Sequence, residues 1–204
     1  MNTCRKASCL ANHLFRREAS ESLPWDTRLK IAIGAAECLA FLQTEKQVVR
    51  PAGKPGIKDS DILLDRDFTA KLSDVGLAKL GSLLVTPRVK FGFAPPEYIH
   101  CGHFQMTSNV YSFGVVLLEI LTGRRAIDRE RPTGRISLVE WALPFLHDEI
   151  KLKKIMDPKL ADHCPKASFH LAGLILKCLE FDHRIRPSME EVLETLHQVD
   201  AIQM

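Results

Sequence analysis

The side chains best suited to chemistry in this sequence are aspartates placed beside two short apolar segments. Asp61 directly precedes the segment Ile62–Leu64, and Asp74 follows the segment Ala70–Leu72. Carboxylate oxygens are the ligands that hard cations such as Mg2+ take, so both aspartates are candidate metal ligands. A hydrogen-bonding loop residue at Asp61 and a solvated turn residue at Asp74 are the structural alternatives.

The elements that must position these aspartates are a hairpin and several helices. Ile62–Leu64 and Ala70–Leu72 are short strand candidates and indicate a hairpin. Ahead of them, the prolines and glycines within Val48–Ile57 predict a loop. The segment Asn109–Leu121 is apolar nearly all round and is followed by Gly123, which predicts a buried helix. Amphipathic helices are predicted at Trp25–Leu42, Ser137–Leu146, Ser168–Leu179 and Ser188–Val199.

Composition restricts the class of protein. The 204 residues are 46% hydrophobic and 26% charged, which is ordinary for a globular chain of one domain or one large subdomain. The net charge of +3, from 28 basic and 25 acidic side chains, is too balanced for a nucleic-acid-binding surface. No apolar run is long enough to predict a membrane span. The six cysteines lack metal-binding spacing and are expected to be reduced and mostly buried, which favours a cytosolic location.

Three blocks in a fixed order carry a resemblance to a known family. Lys58–Asp65, Lys71–Lys79 and Phe91–Tyr98 resemble the catalytic loop, the D-F-G segment and the A-P-E segment of eukaryotic protein kinases. The runs Ser108–Arg125 and Leu138–Ala142 are similar to the plant receptor-like kinases, in particular to their cytoplasmic subgroup. The resemblance implies a mainly α fold: the C-terminal lobe of a protein kinase with a small β-hairpin, without the N-terminal lobe. It implies a kinase-like domain over residues 9–199, with tails at 1–8 and 200–204.

The resemblance also assigns roles to individual residues. Asp74 and Asp61 match the two positions that hold Mg2+, and Lys58 matches a lysine near the γ-phosphate of ATP. Leu63 matches the floor of the adenine site. ATP and Mg2+ are therefore the cofactors that the resemblance implies.

Several positions depart from the family pattern where the chemistry is done. Gly56 stands where the family has the aspartate that accepts the substrate's hydroxyl proton, and Asp59 is the nearest carboxylate. Val75 replaces the phenylalanine of the D-F-G segment, and Asn109 replaces the helix aspartate that tethers the catalytic loop. The glycine-rich phosphate loop and the strand lysine of the N-terminal lobe have no counterpart in the sequence. These departures predict impaired binding of ATP and Mg2+ and no useful phosphoryl transfer.

The retained and lost residues together predict a function. Glu97 and Arg186 match the family's buried ion pair between the activation segment and the late helices, so the fold is expected to be retained. The favoured prediction is an inactive pseudokinase that binds receptor-like kinases or their substrates in the cytoplasm, including at the plasma-membrane surface. One alternative is an active serine/threonine kinase that uses Asp59 and borrows an N-terminal lobe from another chain. The other is a truncated product without function, with an apolar surface around Leu63 and Val75 open to solvent.

Overall fold

A computed structural model describes residues 8–15, 23–44, 56–73, 91–103, 105–130, 136–160 and 165–202. The strands in these ranges are β1 (Ser8–Cys9), β2 (Ile62–Leu64) and β3 (Ala70–Leu72). The helices are α1 (Leu10–Phe15), α2 (Trp25–Thr44), α3 (Pro96–Cys101), α4 (Met106–Thr122), α5 (Leu138–Leu146), α6 (Glu149–Leu152), α7 (Pro165–Cys178) and α8 (Met189–Ala201). No helix in these ranges has the length and apolar character needed to cross a membrane.

The predicted hairpin is confirmed, and it gains a third strand. β2 pairs with β3 in antiparallel fashion, with Leu63 opposite Lys71. β1 pairs antiparallel to the other edge of β2, with Cys9 opposite Leu63. The sequence did not predict β1, because two residues are too few to show the alternation that marks a strand. Leu63 is half-buried beside β1, which differs from the open surface expected there, and Val75 lies outside the described residues.

The helical core follows the predicted pattern. The predicted buried helix is α4, which is buried along most of its length and ends at Thr122, with Gly123 as its left-handed cap. α2 ends at Thr44 rather than at Leu42, and α7 begins at Pro165 rather than at Ser168. The apolar core lies mainly where α2 packs along α8 and where α4 packs along α7.

The described cysteines are free thiols, as expected, but most of them are not buried. Cys178 is buried where α7 crosses α4, and a Cβ added at Gly114 would lie 2.7 Å from the Cys178 Cβ. Burial raises the pKa of the Cys178 thiol to about 12, so it stays protonated. Cys101 is exposed, and Cys9 and Cys38 are half-buried. The expectation of mostly buried cysteines is therefore wrong for the described part of the chain.

A buried ion pair connects α2 to the chain after α6. Arg28 Nη2 contacts Asp157 Oδ2 at 2.5 Å, and the Arg28 side chain is only 3% exposed. Arg28 Nε also donates to the Leu23 carbonyl, and its Nη1 donates to the Ile120 carbonyl near the end of α4. One guanidinium thereby joins the start of α2, the end of α4 and the segment that precedes α7.

A second buried arginine fixes α3. The Nη1 and Nη2 atoms of Arg186 donate to the two carboxylate oxygens of Glu97, each at 2.9 Å. Arg186 also donates to the carbonyls of Thr107, Glu180 and Phe181. The structure thus brings together the two residues that the resemblance paired, and it ties α3 to the start of α4 and to the loop before α8.

Arg28→Met should lower the free energy of unfolding by about 3 to 5 kcal/mol, because Asp157, whose side chain is 11% exposed, would lose the partner of its charge. Urea denaturation followed by circular dichroism measures the loss. Arg184→Met is the matched control, since the Arg184–Asp182 pair is solvent-exposed and such pairs contribute little. Equal and small effects of the two substitutions would contradict the role given to Arg28.

Glu97→Gln should show that the second ion pair stabilises the fold in a pH-dependent way. Burial raises the pKa of Glu97, but hydrogen bonds from Arg186 and Ser108 outweigh it and hold the pKa below its usual value of 4.5. A carboxylate with a depressed folded-state pKa contributes stability above its unfolded-state pKa, and this is lost as the pH falls through the folded-state pKa.

Urea titrations should therefore separate wild type from Glu97→Gln by about 2 to 4 kcal/mol at about pH 7, and by less at about pH 3.5. Glu194→Gln, at an exposed position of α8, serves as the control for removing one surface charge. A difference between wild type and Glu97→Gln that stays constant across this pH range would rule out the ionised pair as its source.

Candidate functional site

The segment that resembles the catalytic loop forms a 3₁₀ helix, Asp59–Asp61, which leads directly into β2. The Lys58 amide donates to Asp61 Oδ2 at 3.1 Å, and the Asp61 amide donates to the Lys58 carbonyl at 3.0 Å. The Asp61 carbonyl accepts from the Ser73 amide at 2.9 Å, just past β3. Asp61 is buried and links this turn to the hairpin. The geometry agrees with the alternative of a hydrogen-bonding loop residue at this position.

Asp59 is also buried, with 8% of its surface exposed. Its Oδ1 accepts from the Ser60 amide at 2.8 Å. Burial raises the pKa of Asp59, while the Ser60 amide and the positive charge of Arg125 act in the opposite direction. The Arg125 guanidinium itself lies 4.5 Å from the centre of the Phe15 ring. The turn and Phe15 of α1 therefore both experience the positive charge of Arg125, which follows α4.

Gly56 lies against α4, at the position that the resemblance gives to the proton-accepting aspartate. Its φ of 79° is in the left-handed region that favours glycine. A Cβ at this position would overlap the Ser112 hydroxyl and lie 2.5 Å from the Ser112 Cβ. Ser112 is held in place because its Oγ donates to the Phe93 carbonyl at 2.8 Å. Position 56 thus has no room for a side chain in this arrangement.

The described residues do not assemble a metal site by themselves. Within the described ranges, no three histidine, cysteine, aspartate or glutamate side chains converge so that they could hold a cation. Asp61 offers one carboxylate, and its Oδ2 already accepts the Lys58 amide. Asp74, the second ligand that the resemblance implies, lies outside the described residues. The described residues alone therefore do not make up a complete Mg2+ site.

The contact between Ser112 of α4 and Gly56 was not predicted from the sequence. Asn109 is buried, and its Oδ1 has no hydrogen-bond partner among the described residues. Ser112 follows Asn109 by three positions and therefore lies on the same face of α4. The three-residue spacing of two polar residues in an apolar helix was the only sequence signal for this contact. It does not by itself indicate that the helix packs against Gly56. Lys58 is buried next to Asp59 and is not the surface charge that its sequence neighbours also allowed.

Comparison with known proteins identifies the family. The family described as protein tyrosine and serine/threonine kinase matches residues 1–196. The chain is 48% identical to the serine/threonine-protein kinase PBL34 of Arabidopsis thaliana, over 92% of this chain and 38% of the relative. It is 48% identical to the probable serine/threonine-protein kinase PBL2 of Arabidopsis thaliana, over 95% of this chain and 46% of the relative.

A relative from another plant gives the same result. The chain is 47% identical to the EPD1-interacting receptor-like cytoplasmic serine/threonine-protein kinase of Nicotiana benthamiana, over 95% of this chain and 42% of the relative. The chain thus spans less than half the length of each of these three curated relatives. It belongs to the protein tyrosine and serine/threonine kinase family, within which it is similar to the plant receptor-like cytoplasmic kinases.

Proposed function

We propose that this chain is a catalytically inactive kinase-like protein that acts by binding protein partners in receptor-like kinase signalling in the cytoplasm. The observation that carries the proposal is the state of position 56. Phosphoryl transfer to a hydroxyl group needs a carboxylate that accepts the departing proton. The matching residue is Gly56, whose left-handed backbone and contact with Ser112 leave no space for a carboxylate.

Contacts that hold the fold support a folded but non-catalytic role. In this proposal the described helices and hairpin correspond to the C-terminal lobe of the family. The Glu97–Arg186 pair holds α3 against the loop before α8, and the hydrogen bonds of Asp61 hold the turn before β2. The relative from Nicotiana benthamiana is named for an interaction with another protein, which agrees with a binding function.

An active kinase would need a different carboxylate, and Asp59 is the candidate that lies nearest. Its Oδ1 already accepts the Ser60 amide, and its surface is 8% exposed. A general base must reach the proton that it removes, directly or through one water molecule. A carboxylate enclosed in this way favours a structural role, so Asp59 does not replace the missing base.

Incubation of the full chain with radiolabelled ATP, Mg2+ and a generic serine/threonine substrate should transfer no label above background, because no carboxylate is placed to accept the hydroxyl proton. Asp59→Asn and Asp74→Ala variants, purified in parallel, identify the source of any signal. Label that disappears in both variants would overturn the proposal. Label that persists in both comes from a co-purified kinase.

Gly56→Asp should not restore transfer, and it should lower the free energy of unfolding by about 2 to 4 kcal/mol through backbone strain and overlap with Ser112. Gly102→Asp is the matched control, because Gly102 has a φ of 68° with nothing within 4 Å of an added Cβ. That control should lose only about 1 kcal/mol, the cost of the left-handed backbone.

Ser112→Gly in the Gly56→Asp background should recover part of the loss, since it removes the overlapping side chain. Urea denaturation of the four proteins, wild type included, measures these differences. If Gly56→Asp were as stable as Gly102→Asp, position 56 would not be closed to a side chain. Phosphate transfer by Gly56→Asp would then show that the missing carboxylate alone accounts for the inactivity of the wild-type chain.

A further inference from the structure

A pocket of about 440 Å3 lies where the end of α6, the 3₁₀ helix Pro158–Leu160 and the start of α7 meet. Its apolar lining comes from Met156, Pro158, Leu160 and Pro165. The volume falls within the range of about 300 to 1,000 Å3 that is typical of ligand pockets. The pocket uses none of the residues that the family resemblance assigns to ATP, to Mg2+ or to a substrate.

The pocket is bordered by positive charge. Lys153 and Lys154 contribute to its lining, and Lys151 and Lys159 flank these residues in the chain. Over the ranges that the structure describes, neither Lys153 nor Lys159 forms a salt bridge. Their ammonium groups are therefore available to an anionic partner, with the strength and range of the attraction set by salt.

The acidic residue in the lining does not cancel this charge. Asp157 Oδ2 contacts the buried guanidinium of Arg28, and Asp157 Oδ1 accepts from the Lys159 amide at 3.0 Å. The Arg28 guanidinium thus balances the charge of the Asp157 carboxylate. Outside the lining, Asp148 offsets part of the charge of Lys151 and Lys154, which lower its pKa. What remains at the pocket is an apolar floor with excess positive charge beside it, which suits a guest with one apolar group next to negative charges.

We propose that this pocket docks an acidic segment of a partner protein, which inserts one large apolar side chain and sets carboxylates against Lys153 and Lys154. The inference rests on the proposed protein-binding function for the class of its partner. A peptide suits the site because a concave pocket of about 440 Å3 has room for one large apolar side chain. A lipid surface would instead need a flat face, although the nearby Ile150, which is 74% exposed, makes membrane contact the rival to test.

The test uses the full chain and a fluorescently labelled peptide, Glu-Asp-Trp-Asp-Glu, followed by fluorescence anisotropy. The Lys153→Glu/Lys154→Glu variant should bind the peptide at least about tenfold more weakly than wild type. The reason is that the side chains at these two positions would repel the acidic peptide and no longer attract it. A peptide with alanine in place of tryptophan should also lose about tenfold, since the pocket then stays unfilled. The affinity of wild type should fall as salt is raised.

The matched control is Arg129→Glu/Lys177→Glu, which makes the same change in net charge at exposed positions that do not line the pocket. It should bind the peptide within about twofold of wild type, because screening limits distant charges. Circular dichroism confirms that both variants are folded.

Peptide affinity that is the same in both double variants would overturn the proposal. So would sedimentation with phosphatidylserine vesicles in the absence of peptide binding, since that outcome makes the lysines a membrane contact. Peptide binding and phosphate transfer are separate measurements. A failure of the docking proposal therefore leaves the transfer result standing, and the reverse also holds.

Discussion

The guanidinium of Arg186 uses all five of its N–H donors inside the protein. Two go to the carboxylate of Glu97, and the others go to the carbonyls of Thr107, Glu180 and Phe181. A buried guanidinium costs several kcal/mol unless its donors are paired, so each acceptor has to be held where it is. That requirement fixes α3, the first turn of α4 and the chain after α7 relative to one another.

The Glu97–Arg186 pair also influences the position of Gly56, because α4 contacts both. Ser108 donates to Glu97 Oε1 at 2.6 Å, and Ser112 lies one turn further along the helix. Ser112 donates to the Phe93 carbonyl and occupies the space beside Gly56. The closure of position 56 is therefore a consequence of how α4 is anchored. In this arrangement, a carboxylate at position 56 would need Ser112 or the backbone of Gly56 to move.

Sequence reasoning succeeded where a long periodic pattern exists. The apolar run Asn109–Leu121 and the stop at Gly123 predicted α4 apart from its first residues, because a short helix that is apolar all round is a core helix. β1 was missed, since its pairing with β2 depends on contacts between residues far apart in the chain. The burial of Arg28 was missed for the same reason: its partner, Asp157, is 129 positions away, and local patterns carry no information about it.

At the candidate site, sequence reasoning had a different limit. Its residues could be matched to those of a family, but their contacts in three dimensions could not be predicted. The resemblance gave Asp61 as a metal ligand, and the structure gives that side chain a bond to the Lys58 amide. An asparagine in the family position has a side-chain oxygen that can accept the same amide, so the exchange to aspartate keeps the turn. What changes is the charge: Asp61 adds a negative charge beside Asp59, whose pKa burial already raises.

Two adjacent buried carboxylates are stabilised by a bound cation or by nearby positive charge, and otherwise they repel each other. The positive charge that the structure supplies comes from Lys58 and Arg125, both of which lower the pKa of Asp59. These two charges offset the burial and the neighbouring Asp61 only in part, since the pKa of Asp59 stays raised. Under the function proposed above, a loop whose carboxylates are engaged in this way serves the fold and not phosphoryl transfer.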